Sequence, residues 1–136
     1  MVKHIGFYGG SSIVELESVN EMLDFLAFLE QRATGGQEKE VVKRLFHKFL
    51  RLEDLDVAIS LLGNLNKEDV GKFERYVKGL MHCVISAKGF FEDWNIYKPV
   101  KILPTDMPDF MEERDRPLES YDMLKNDEPP YWVKYQ

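Results

Sequence analysis

The chain has 136 residues, a net charge of −6, 44% hydrophobic residues and 31% charged ones. That length suits one domain burying about two-thirds of its unfolded surface, and that balance suits a globular chain rather than a disordered or membrane one. The acid excess argues against direct nucleic-acid binding, which needs Lys and Arg to neutralise phosphates, and a single cysteine, Cys83, leaves no partner for an internal disulfide.

Residues 1–12 reach Gly9 and Gly10 before any apolar run long enough for a secretory signal, and no apolar stretch approaches the roughly 20 residues that cross a bilayer. The cytoplasm is the expected compartment. Ile5-Gly6-Phe7-Tyr8 reads as a short strand, followed by turn chemistry at Gly9-Gly10-Ser11-Ser12. Two starts then compete for the first helix: Ser12 with Glu15 makes one capping box, and Ser18 with Glu21 makes another. The later start is preferred, with residues 12–16 pairing back as a hairpin. Met22, Leu23, Leu26 and Leu29, widened by Phe25 and Phe28, give the helix its apolar stripe.

Thr34 and Gln37 have capping-box spacing for a second helix running to about Leu50, with Val42, Leu45, Phe46, Phe49 and Leu50 inward. Lys39, Lys43, Arg44, Lys48 and Arg51 fall on its other sides. Glu53, Asp54 and Asp56 open a third helix with the stripe Leu55, Ile59, Leu62 and Leu65. Asn66 is expected to cap the longest helix, which carries Phe73, Tyr76, Val77, Leu80, Met81, Val84, Ala87 and Phe91 at helical period. Gly71, Gly79 and Gly89, within or near it, are expected to mark close packing against neighbouring helices.

The grammar then changes, because all six prolines lie at Pro99 or later and all nine glycines at Gly89 or earlier. Val100-Lys101-Ile102-Leu103 reads as a strand stopped by Pro104. Residues 105–113 and 117–124 admit only short helical turns, and residues 131–135 alternate as a strand would. The expected fold is α+β and predominantly α-helical: about four helices, a short N-terminal strand or hairpin, and a Pro-rich C-terminal segment with one or two short strands. It forms a single domain over residues 1–136, a helical body over 1–97 with residues 98–136 packed on it.

Chemistry is scarce. His4, His47 and His82 make no pair at metal-ligand spacing, and His82 and Cys83, as helix neighbours, point about 100° apart. The glycine-rich turn lacks a phosphate-binding lysine and is followed by Glu15 and Glu17. Nothing implies a catalytic residue, a cofactor or a metal.

Charge is more telling. Residues 11–30 hold Glu15, Glu17, Glu21, Asp24 and Glu30 with no base, while residues 37–51 carry +3. Residues 103–132 carry nine carboxylates against Arg114, Arg116 and Lys125, a local −6, interleaved with Met107, Phe110, Met111, Tyr121, Met123, Tyr131 and Trp132. Acid rims around aromatic anchors are a hot-spot composition for a basic protein partner, and proline-fixed backbone loses less entropy on binding. The same charges also serve a bland purpose, solvating the fold or pairing within it.

Ile5-Gly6-Phe7-Tyr8-Gly9-Gly10-Ser11-Ser12, Pro104-Thr105-Asp106-Met107-Pro108, Arg116-Pro117-Leu118-Glu119-Ser120-Tyr121-Asp122 and Pro129-Pro130-Tyr131-Trp132 together resemble segments of bacterial immunity proteins of polymorphic toxin systems, nearest the contact-dependent growth inhibition group. The resemblance implies a small cytoplasmic protein, not an enzyme, that binds the toxic C-terminal domain of a cognate toxin and covers its active site. Many such toxins are basic nucleases, which an acidic inhibitor suits. The expected partner-binding residues are Asp106, Asp109, Phe110, Glu112, Glu113, Asp115, Glu119, Tyr121 and Asp122, with Glu15 and Glu17 second. Two rivals stand beside this reading: a small hydrolase or transferase around His82 or His47, and an adaptor subunit without a toxin.

Overall fold

A computed structural model describes residues 5–47 and 49–104, which form an α+β fold dominated by helix. In chain order these are β1 (Ile5–Gly9), β2 (Ser12–Leu16), α1 (Val19–Arg32), α2 (Gly35–His47), α3 (Leu55–Gly63), α4 (Lys67–Val70), α5 (Glu74–Trp94) and β3 (Lys101–Pro104). The strands make one antiparallel sheet in the order β2-β1-β3. The sequence segments expected as turns over 105–113 and 117–124 and as a strand over 131–135 lie outside the described residues.

The preferred hairpin is present, and the turn explains why it needs glycine. Gly10 sits at φ 57, where other residues are strained, and a Cβ there would lie 2.6 Å from the Ser86 backbone. The turn is clamped to α5 and to the returning chain: Ser11 N–H donates to Ser86 Oγ at 3.0 Å, and Gly10 N–H to the Lys98 carbonyl at 3.2 Å. Ser18 then caps α1, accepting from the Glu21 amide at 3.1 Å, which settles the first helix start in favour of the later box.

Strand alternation sorts the sheet's faces. Ile5 pairs with Leu16, and Phe7 with Val14 on one side and Ile102 on the other, so these side chains share the face that meets the helices. Phe25 of α1 nails the layers together: its ring lies 5.8 Å from Phe7, 5.6 Å from Phe73 and 5.8 Å from Tyr76. The opposite face carries Tyr8 opposite Lys101, and Phe49 bridges Lys101 from the side. All three are buried, and the Lys101 ammonium lies 5.8 Å from the Tyr8 ring centre.

Four sequence expectations are corrected. α2 ends at His47, not near Leu50, because Phe49 and Leu50 are drawn to β3: Leu50 N–H donates to the Val100 carbonyl at 2.8 Å and its own carbonyl accepts from Tyr97 OH at 2.6 Å. The Thr34 box closes on Glu38 rather than Gln37, with the amide and hydroxyl of Thr34 donating to one Glu38 oxygen at 2.8 and 3.1 Å. In α3 the buried stripe is Leu55, Ala58, Leu61 and Leu62; Leu65 falls beyond the helix end. Asn66 caps only the one-turn α4, accepting from the Glu68 amide at 2.9 Å. The chain then breaks at Gly71, φ 50, so the long helix starts at Glu74 and Phe73 lies before it.

Of the three glycines expected to mark close packing, only Gly79 does. A Cβ there would lie 2.6 Å from Val14 Cγ1, whereas nothing approaches Gly71 or Gly89 within 4 Å. α5 ends in a left-handed Asn95, φ 55, whose amide donates to the Phe91 carbonyl at 2.8 Å and turns the chain back toward β3.

Candidate functional site

The acidic run of residues 11–30 is distributed over two elements. Glu15 stands exposed on β2, and Glu17 is exposed in the link to α1, with the Arg75 guanidinium at 3.9 Å. Asp24 and Glu30 are exposed on α1, and Glu21 is half-buried in its first turn. At about 100° per residue, Glu21 and Glu30 lie on opposite sides of the helix, so the five carboxylates wrap the hairpin and α1 rather than form one plane. Asp106, Asp109, Phe110, Glu112, Glu113, Asp115, Glu119, Tyr121 and Asp122 lie outside the described residues.

The basic stretch is less available than the sequence implies. Arg44 turns inward and donates to the buried carboxylate of Asp54 at 2.6 Å, while the other Asp54 oxygen accepts the Arg51 amide at 2.9 Å. One carboxylate thereby ties α2 to the start of α3. Lys48 lies outside the described residues, and Lys39 and Lys43 are exposed on α2.

His82 and Cys83 separate as their helix spacing dictates. His82 is exposed, whereas Cys83 is fully buried against the hairpin, donating weakly to the Phe7 carbonyl at 3.6 Å. Burial pushes the thiol up to about 12, so it remains protonated at neutral pH and is a poor nucleophile. The Tyr97 phenol is likewise pushed up, chiefly by burial. His4 and the side chain of His47 lie outside the described residues. Among the described residues, no group of three or more His, Cys, Asp or Glu is placed to hold a metal ion, and no helix is long and apolar enough to cross a membrane.

A further feature is a cleft of about 410 Å³ between α1 and α2. The two-residue link Ala33-Thr34 folds α2 back along α1, and the walls are matched stripes: Leu23, Leu26, Ala27 and Glu30 face Lys39, Val42, Lys43 and Phe46, with Glu40 at the edge. Each stripe has the spacing i, i+3, i+4, i+7, one continuous helix face. The expected core stripe of α1 includes Leu23, but this residue is 38% exposed. The available signal was width: α1 has more apolar positions than one buried face can take.

Comparison with protein-family models, with curated proteins and with solved structures returns no match for this chain.

Proposed function

We propose that this protein is a non-enzymatic inhibitor that binds a basic protein, acting as the immunity partner of a bacterial toxin's C-terminal domain and covering that domain's active site. The observation that carries the reading is the unbalanced acid load. Glu15, Glu17, Asp24 and Glu30 project from the hairpin and α1, in a stretch of twenty residues without a base, and residues 103–132 add a net −6. A field of this kind speeds encounter with a basic partner and rejects acidic ones. A nuclease domain, whose substrate-binding surface must be cationic to hold phosphates, is the class of target it suits.

The rigidity of the support favours the same reading. Glu15 and Glu17 are held on a strand and link whose turn is clamped to α5, so little conformational entropy remains to be lost there on docking. The test is a pull-down and a growth-protection assay with the toxin domain encoded directly upstream. Two charge-reversal sets are compared: Glu15→Lys with Glu17→Lys, and Asp106→Lys, Asp109→Lys, Glu112→Lys, Glu113→Lys with Asp122→Lys. Loss of both binding and protection in either set, with the fold intact by circular dichroism, is the expected result. Unchanged binding and protection in both sets would sink the reading.

A further inference from the structure

The cleft between α1 and α2 carries an inference independent of the inhibitor reading. Its floor is made by Leu26 and Val42, both buried, and its lips by Leu23, Ala27, Lys43 and Phe46. Two neighbouring helices that each turn an i, i+3, i+4, i+7 stripe toward a shared furrow form the seat into which a third helix packs ridge into groove. The small side chain of Ala27 lets such a helix approach closely. From Leu23 to Glu30 and from Lys39 to Phe46 each wall rises about 10 Å, enough to contact two turns of a guest helix.

Charge selects the occupant. Glu30 stands on the α1 wall, and Lys39 and Lys43 stand on the α2 wall with Glu40 beside them. Among the described residues, none of these four forms an ion pair. A fatty acid would bring its single carboxylate into a rim that also holds Glu30 and Glu40. A polypeptide helix can bring both signs, one to each wall. We infer that this cleft is a docking groove for an amphipathic helix of a protein partner, with an apolar stripe between an acidic edge that meets Lys39 and Lys43 and a basic edge that meets Glu30.

The inference is tested on the full chain with a labelled synthetic helix of about 15 residues, or four turns. It bears Leu at i, i+3, i+4 and i+7, Glu along one edge and Lys along the other; a companion peptide has Lys on both edges. Fluorescence anisotropy is expected to show saturable binding of the two-signed peptide below about 1 mM. Ala27→Arg, which fills the cleft, is expected to weaken it by about tenfold or more, while Ala27→Ser leaves it within about twofold. Lys39→Glu with Lys43→Glu is expected to shift preference to the all-Lys companion. These are surface positions, and unchanged circular dichroism melts establish that the fold is kept. The inference is overturned if neither peptide saturates, if Ala27→Arg binds as well as wild type, or if sodium palmitate displaces the peptide stoichiometrically.

Discussion

Where α5 lies on the β-hairpin, glycines let helix and strands approach closely; where α2 lies on α1, a cleft of about 410 Å³ stays open above the buried Leu26 and Val42. Gly9 and Gly79 mark the first contact: a Cβ on Gly9 would meet the Cys83 carbonyl oxygen at 2.5 Å, and one on Gly79 would meet the Val14 methyls. In the second contact Leu23 remains 38% exposed beside Ala27 and Lys43. The contrast assigns different duties to the two halves. Close packing leaves no alternative arrangement and fixes the sheet that carries Glu15 and Glu17. The open contact retains apolar surface at Leu23 and Ala27 that packing among the described residues leaves exposed.

The contrast breaks most sharply at Gly9. Gly9→Ala sets a methyl against the backbone of Cys83 on one side and Val100 Cγ2, at 2.9 Å, on the other. Neither is the loose end of a long side chain. The expected loss is about 3 kcal/mol of unfolding free energy, read from urea melts, with α5 shifted off the hairpin. A loss below about 0.5 kcal/mol would mean the contact is softer than its geometry.

Two glycines on one helix sharpen it further. Gly79→Ala and Gly89→Ala gain the same helix propensity, up to about 1 kcal/mol. Gly89 has nothing within 4 Å, so the full gain is expected there; at Gly79 the overlap with branched Val14 should outweigh it and leave a net loss of about 1–2 kcal/mol. Adding Val14→Ala should restore part of the Gly79→Ala loss, and additive losses in that cycle would refute the steric explanation.

Buried acids of the same region predict a pH dependence. Cys83 titrates near 9.0 when unfolded but is pushed up to about 12 by burial, and Tyr97, ordinarily 10.0, is raised too. Between those values the unfolded chain has released protons that the folded one retains. The stabilisation is therefore complete below about pH 9 and is lost as pH rises, by about 1.4 kcal/mol per pH unit for each group. Urea midpoints should fall between about pH 9 and about pH 11, and Cys83→Ala should flatten the lower part of that slope. An unchanged slope in Cys83→Ala would show that the thiol is hydrated.

How far these regions could be read from sequence depends on what fixes them. Local signals were legible: the Ser18 box, the Gly9-Gly10 turn and the stripe of α5 from Tyr76 to Phe91 each have a short-range cause. What misled were residues recruited by distant partners. Phe49 and Leu50 continue the apolar period of α2 but leave the helix for a hydrogen bond to Val100, one from Tyr97 and a bridge to Lys101, all distant in sequence. Arg44 looks like a surface base until Asp54 is placed beside it. Gly71 has the same identity as Gly79, yet one breaks the chain at φ 50 and the other admits Val14. The cleft could be suspected only as surplus: Leu23 and Ala27 widen α1's apolar side beyond the face that Met22, Phe25 and Leu29 bury.

That surplus supports the smallest predicted effect. If Leu23 served the core, Leu23→Gln would create a partly filled void and an unsatisfied amide, costing about 2 kcal/mol or more. If it lines an open furrow, the amide meets water and Gln is as good a helix former as Leu, so the stability should stay within about 0.5 kcal/mol of wild type. The core counterpart three residues on, Leu26→Gln, provides the comparison on the same helix, because Leu26 is only 4% exposed and forms the cleft floor. Thermal melts of the two variants should differ by several degrees, with Leu23→Gln the closer to wild type. Equal destabilisation would show that the furrow is closed in solution, and the difference between the two helix contacts would vanish with it.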